Sequence, residues 1–262
     1  MQLIDSHTHL DFAVFEHDRL QVLAGCQALG VKRALVMGIS LANWDKLWQL
    51  CQQHSMLYAA FGLHPMFLAQ HTQQDLIQLE TYLQRFSQHN KCVAVGEIGL
   101  DYYLAELDKT KQQKLFQAQL EIAKQFYLPV CLHVRRAHAD TVKYLKQVKL
   151  ERGGIVHAFS GSLEEAKEYL KLGFYLGIGG AATWEQAKRL HLVFRKIPTQ
   201  HWVLETDAPD MPPSFHAKQR NSPEFLPQIC QQLAQLKQIS PEQLAQITTN
   251  NVQQLFHWST IE

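Results

Sequence analysis

Short, continuously apolar runs alternate along the chain with longer stretches of helical periodicity. The runs predict strands at 2–7, 33–39, 57–63, 92–98, 129–133, 154–158, 174–179 and 202–206. They lack polar alternation, as expected for a parallel sheet covered on both faces. Helices are expected between them near 17–29, 43–54, 74–88, 109–127, 138–148, 163–172 and 185–195. In KQQKLFQAQLEIAKQF, Leu115, Phe116, Leu120, Ile122 and Ala123 fall on one side at the helical period. Pro129 then marks a new strand, because it pushes the preceding residue out of helical geometry. Ser222-Pro223-Glu224 and Ser240-Pro241-Glu242 read as capped helix starts, the last helix ending near Phe256. The stretch 210–223 between β-like and helical segments is proline-rich and long enough to lie over a site at a rim.

Eight strand–helix units fit an α/β fold, a single closed (β/α)8 TIM barrel over residues 1–262. An open doubly wound sheet is the competitor. It would hold the first, middle and last strands apart, and the candidate ligands come from all three places.

Those candidates sit where apolar runs stop. LIDSHTH ends on His7 and His9, YAAFGLH on His64, PVCLH on His133 and GGIVH on His157, while CVAVGEIGLD carries Glu97 and HWVLETDAPD carries Glu205 and Asp207. Residues i and i+2 of a strand face one way, so His7 and His9 can grip one ion, as can Glu205 and Asp207. Imidazole suits zinc and related metals, and carboxylates suit harder ions and can bridge two of them. Glu97 lies among glycines and apolar residues, and a buried carboxylate without a partner is costly. Two carboxylates as close as Glu205 and Asp207 also call for a cation, or for one proton between them. Asp207, nearer the mouth, is the better ligand and the candidate base toward water. Glu205 is read either as a ligand or as the partner of one.

The chain has 262 residues, 46% of them hydrophobic, with 25 basic and 24 acidic residues for a net charge of +1. That balance gives no sign of a strongly basic nucleic-acid-binding surface but leaves room for a small phosphodiester held by local contacts. The five cysteines lack CxxC spacing and read as small buried hydrophobes in a reducing compartment. No basic-then-apolar leader and no long apolar span occur, so a soluble, cytoplasmic protein with no membrane partner is expected, as a monomer.

With these residues in place, the chain resembles the TatD family of metal-dependent hydrolases. The matching pieces are DSHTHLD (5–11), GLHP (62–65), VGEIGLDYY (95–103), the Gln112–Phe116 and QLEIA (119–123) helix pattern, LPVCLHVRRAH (128–138), VHAFSGS (156–162), LETDAPDMP (204–212) and RNSPE (220–224). The resemblance implies a barrel of the metal-dependent amidohydrolase type, two divalent cations (zinc, magnesium, manganese or nickel) and hydrolysis of phosphodiester bonds in DNA. Carried over by position, His7, His9 and Asp207 hold one ion, Glu97 bridges, and His133 and His157 hold the second. The catalytic pair is then Asp207 and Glu97, with the two ions expected about 4 Å apart. The chain departs from the family at Asp210 after DAP and in HAKQRN before the Ser-Pro helix start.

Substrate contacts are expected from His64, Arg135 and Glu205. Arg135 follows His133 by two, and a guanidinium fork suits a phosphate, although a surface ion pair would use it equally well. His64 is read as touching substrate, as backing a ligand or as structural. The amides of Ser160 to Ser162 could take an anion at a helix start, or Ser162 could simply cap. Arg220 and Asn221 are weaker candidates, and Asn250 and Asn251 are expected to satisfy backbone groups of the last helix. Two rival readings accompany the nuclease: a C–N or lactone hydrolase on the same site, and a barrel that keeps metals only for stability. Many amidohydrolase-type barrels bridge their metals with a carboxylated lysine; Glu97 at that position favours the nuclease.

Overall fold

A computed structural model describes residues 1–259; the last three residues of the expected 1–262 span lie outside the described residues. Eight parallel strands follow one another around the sheet in chain order: β1 (Leu3–Thr8), β2 (Val31–Met37), β3 (Leu57–Phe61), β4 (Cys92–Asp101), β5 (Val130–Arg135), β6 (Gly154–Val156), β7 (Phe174–Ile178) and β8 (Trp202–Leu204). Outside them lie α1 (Arg19–Ala28), α2 (Leu41–Gln53), α3 (Gln73–Phe86), α4 (Lys109–Gln125), α5 (His138–Val148), α6 (Leu163–Lys171), α7 (Lys188–Lys196), α8 (Leu226–Lys237) and α9 (Pro241–Phe256). This is the expected (β/α)8 barrel. The closure between β8 and β1 uses other bonds than a strand ladder: Asp207 N–H donates to His7 O at 3.0 Å and His9 N–H to Ala208 O at 2.7 Å. Ser6 Oγ donates to Leu204 O, and the Asp5 carboxylate accepts from Thr206 N–H.

Two apolar layers hold the barrel. Between strands and helices runs a large outer layer that includes all five inward residues of the KQQKLFQAQLEIAKQF helix. Inside the barrel, Ile4, Leu35, Met37, Ala60, Cys131, Ile155 and Val203 pack with Val252, Leu255 and Phe256 of α9. The last helix is thus tucked under the barrel. Thr249 Oγ1 donates to Gln2 O, and Asn251 Nδ2 donates to Thr199 O and Trp202 O, at the starts of β1 and β8. Asn251 therefore ties the helix to the sheet rather than serving the helix's own backbone. Asn250 stays on the surface and accepts from Gln246. All five cysteines are free and buried.

Strand parity carries the fold to the site. Cys131 and His133, Ile155 and His157, Ala60 and His64, and Val203 and Glu205 are each spaced so that apolar residues fill the lower interior and polar ones the top. The strand expected at 92–98 runs on to Asp101, which pairs with Arg135 of β5. Gly99 permits this: at φ +153° it lies against the backbone of His133, where a Cβ would collide. Ser162 and Ser240 cap α6 and α9 as expected, each with the reciprocal bond from the third helical residue.

Candidate metal centre

At the carboxyl ends of the strands, His7, His9, His64, His133, His157, Glu97 and Asp207 converge on one floor. Glu97, buried on β4, divides its carboxylate. Oε2 lies 3.2 Å from His7 Nε2 and 3.6 Å from His9 Nε2, while Oε1 lies 3.2 Å from both His64 Nε2 and His133 Nδ1. Asp207 Oδ1 lies 3.5 Å from His9 Nε2 and 3.6 Å from the Nε2 atoms of His7 and His157. The His7 and His157 rings stack at 3.6 Å. Donor atoms close enough to share an ion occur in three sets: His7, His9 and Asp207; His64, Glu97 and His133; His7, His157 and Glu205. The expected grouping of His133 with His157 is thus not the tightest one; His64 stands beside His133, and His157 beside His7.

Asp207 has φ +59°, a conformation that costs a non-glycine residue about 1–3 kcal/mol. It is held there by the seam bond to His7 and by Asp210 N–H, which donates to its carbonyl. Such an outlier at a strand end is characteristic of functional sites.

The electrostatics ask for positive charge. Burial raises the proton affinity of Glu97, but His64, His7 and His133 overcome this and keep it well below the usual carboxylate range. Asp207 is lowered against burial by His157, His9 and His7. Burial would lower His9, yet Asp207 and Glu97 hold it up at about 9. His157 and His133 are raised in the same way, against burial, by their neighbouring carboxylates. His64 behaves oppositely, burial taking it down to about 4 despite Glu97. Both nitrogens of His7 and Nδ1 of His9 are buried without a hydrogen-bond partner. Buried polar atoms are rarely orphaned. Imidazole nitrogens beside ionised carboxylates fit a divalent cation taking mixed nitrogen and oxygen donors.

Hydrogen bonds sort the histidines further. His64 Nδ1 accepts from Met66 N–H at 3.1 Å, so the neutral ring carries its hydrogen on Nε2, facing Glu97. Glu205 does not line the cleft, contrary to the substrate role expected for it. It is buried behind His157, 2.9 Å from Nδ1, and accepts from Ala158 N–H at 2.7 Å. A Cβ on Gly177 would occupy its place.

Above the floor opens a cleft of about 450 Å³, walled by Phe12, Phe67, Leu190 and Met211 and reached by His64 and Arg135. Asp210 and Met211 of the 210–223 stretch do line it, as a rim loop should. Arg135 is exposed at the mouth with its guanidinium 3.7 Å from the ring centre of Tyr103, and Arg136 lies 4.8 Å from the same ring. Arg220 turns away from the cleft floor and pairs with Asp18, and Asn221 pins the loop through Thr206 O and Asp210 O. Ser162 N–H is taken by Glu165, so this helix start is capped rather than open to an anion.

Sequence reading missed three carboxylates or amides that matter here. Asp101 Oδ2 lies 2.9 Å from His133 Nε2. Gln112 clasps the backbone of Asp101 from α4 through both its N–H and C=O. Asp5, pushed up to about 7 by burial, joins β1 to Thr206. Asp101 was legible in principle, because GEIGLD places it four residues beyond Glu97 on one strand.

An eight-stranded barrel with histidines and carboxylates gathered at its strand ends is the architecture shared by a known family. The chain matches the profile of the TatD-related DNases over residues 4–257 and belongs to that family. It is 38% identical over 256 residues to YjjV of Escherichia coli, an uncharacterised metal-dependent hydrolase, covering 98% of each chain. Against YabD of Bacillus subtilis, likewise an uncharacterised metal-dependent hydrolase, it is 35% identical over 97% of this chain and 98% of that one. The crystal structure of YjjV superposes with a TM-score of 0.94 over 97% of this chain and 98% of that one. A TatD-family hydrolase from Entamoeba histolytica, 22% identical, shares the fold with a TM-score of 0.87 and 99% coverage of both chains.

Proposed function

We propose that the chain is a divalent-metal-dependent hydrolase of phosphodiester bonds, acting on DNA at 3′ ends or in short strands. Membership of a family of metal-dependent hydrolases supports the coarse reading. The observation that carries the finer one is the division of Glu97, one carboxylate with each oxygen facing a different pair of imidazoles. His7, His9 and Asp207 would hold one ion, His133 and His157 the second, with Glu97 between them. Bound there, zinc, manganese, magnesium or nickel would make water acidic near neutral pH and offset charge building on a phosphate.

The chain's own groups do the rest. Asp207, at the mouth, accepts the proton of the attacking water. His64, neutral and with its hydrogen on Nε2, keeps that hydrogen on Glu97 and borders the path of an oxygen entering the floor from the cleft. Arg135, backed by the Tyr103 ring, offers a fork to a flanking phosphate. The apolar wall excludes bulk water and strengthens each of these contacts.

A second reading has one feature in its favour: Arg135 is the only lysine or arginine among the described residues lining the cleft. That suits an uncharged amide or lactone. The metal-reconstituted chain should therefore be assayed in parallel on 3′-ended single-stranded DNA, an aryl phosphodiester, cyclic amides and lactones. Cleavage of the diesters is expected. Turnover of amides or lactones alone would replace the nuclease reading, and no turnover with ions bound would leave a metal-stabilised barrel.

A further inference from the structure

We propose that Asp101 is a positioning residue for the metal centre: it selects the ring nitrogen that His133 offers to an ion. The inference rests on the reading of the floor as a metal centre. It follows from hydrogen-bond bookkeeping around one oxygen, Glu97 Oε1. Two imidazoles face that oxygen at the same distance, 3.2 Å, and they are prepared in opposite ways. His64 has Nδ1 occupied by the Met66 amide and presents N–H. His133 has Nε2 at 2.9 Å from Asp101 Oδ2, a carboxylate that can only accept when ionised, so its hydrogen is on Nε2 and Nδ1 presents a lone pair. A lone pair aimed at a carboxylate is repulsive unless a proton or a metal ion lies between them, and Nδ1 is the position at which an ion would replace that proton. Asp101 thereby makes His133 the ligand of the pair.

The carboxylate is itself held rigidly. Asp101 is fully buried at the end of β4, its Oδ1 accepts from Tyr103 N–H at 2.9 Å, and Gln112 clasps its backbone. Among the described residues, no other charged side chain hydrogen-bonds to Oδ2. Carboxylate partners of this kind orient metal-binding histidines, and their loss weakens metal binding by about 10–100-fold. In Asp101→Asn the amide can present N–H to His133 Nε2, which would force the ring hydrogen to Nδ1 and turn it toward the ion.

The test loads histidine-¹⁵N-labelled chain with ¹¹³Cd and reads one-bond coupling between metal and ring nitrogen. Coupling to His133 Nδ1, with a hydrogen on Nε2, is expected in the wild type. In Asp101→Asn that coupling should disappear and the affinity for one ion, measured by chelator competition, should fall about 10–100-fold. The ion held by His7, His9 and Asp207 should keep its affinity, and the metal-free variant should still unfold in one cooperative step. Coupling through His133 Nε2 in the wild type, or wild-type affinity for both ions in the variant, would overturn the role of Asp101 alone. A wild type that binds no ion would overturn the metal centre itself. The wild-type spectrum decides the question even if the variant does not fold.

Discussion

The two ends of the barrel are built on opposite principles. At the lower end, Ile4, Leu35, Ala60, Cys131, Ile155 and Val203 meet the apolar tip of α9, and the polar groups there, Thr249 and Asn251, are spent on backbone carbonyls of β1 and β8. At the upper end, two to four residues beyond most of these positions, imidazoles and carboxylates crowd together, and Asp207, Ala158 and Arg136 adopt left-handed backbone conformations. Among the described residues, the buried imidazole and carboxylate atoms lacking hydrogen bonds belong to His7, His9, Asp11, His157 and Glu205, all at this end. The difference teaches where stability and chemistry are separated: the base holds the cylinder shut so that the mouth can keep a costly arrangement poised for a cation.

That division can be broken by substitution at either end. The largest effect is expected from Asp207→Asn, which should lower kcat on a phosphodiester by about 10²–10⁴-fold, the usual contribution of a general base. Metal should stay largely bound and the variant should still unfold cooperatively. Full activity in this variant, measured with saturating metal, would remove Asp207 from the chemistry. Phe256→Ala at the base should do the reverse. Loss of a buried aromatic side chain costs about 3–5 kcal/mol, readable in urea unfolding, while kcat per folded molecule is retained. A comparable fall in kcat would show that the two ends are coupled. Asn251→Ala should be milder. It leaves the carbonyls of Thr199 and Trp202 without their donor, at about 1–3 kcal/mol, again without a change in kcat.

The smallest effect is a matter of pH. His9 is held up at about 9, above its ordinary 6.5, by Asp207 and Glu97 against the opposing effect of burial. A histidine raised in the folded state stabilises fully below its unfolded value, and that stability is lost as pH climbs toward the folded value. His133 and His157 are raised too and act in the same sense. His7 and His64 are lowered, and their contribution changes only below about 6.5. The metal-free chain should therefore melt at a lower temperature at pH 8.5 than at pH 6.5. Metal should reverse the trend, because ligands freed of protons bind it more tightly. A metal-free melting temperature that rises over this interval would contradict the account of the floor.

Much of this was readable from strand parity. A run such as PVCLH places Cys131 and His133 on one face, so a buried residue below announces a side chain at the mouth above; the same logic reached His157 and His64. What escaped was what depends on contacts between distant segments. Asp5 lies inside an apolar run, and its partner Thr206 is some two hundred residues away. Glu205 has the same alternation as Asp207, yet one points beneath His157 and the other into the cleft, a difference made by the left-handed turn at Asp207. Arg220 looked like a substrate residue because it sits in a rim loop, and only folding brings Asp18 beside it. Hydrogen-bond direction, which separates His64 from His133, leaves no trace in residue spacing.

The central claim is that Glu97 joins two ion sites into one centre. Its most direct test is the metal content of the chain after reconstitution and gel filtration at neutral pH, wild type beside Glu97→Gln. Two tightly held divalent ions per wild-type chain, and loss of at least one of them in a variant whose metal-free form still unfolds cooperatively, is the predicted result. A variant that retains both ions with wild-type affinity, or a wild type that retains none, would contradict it.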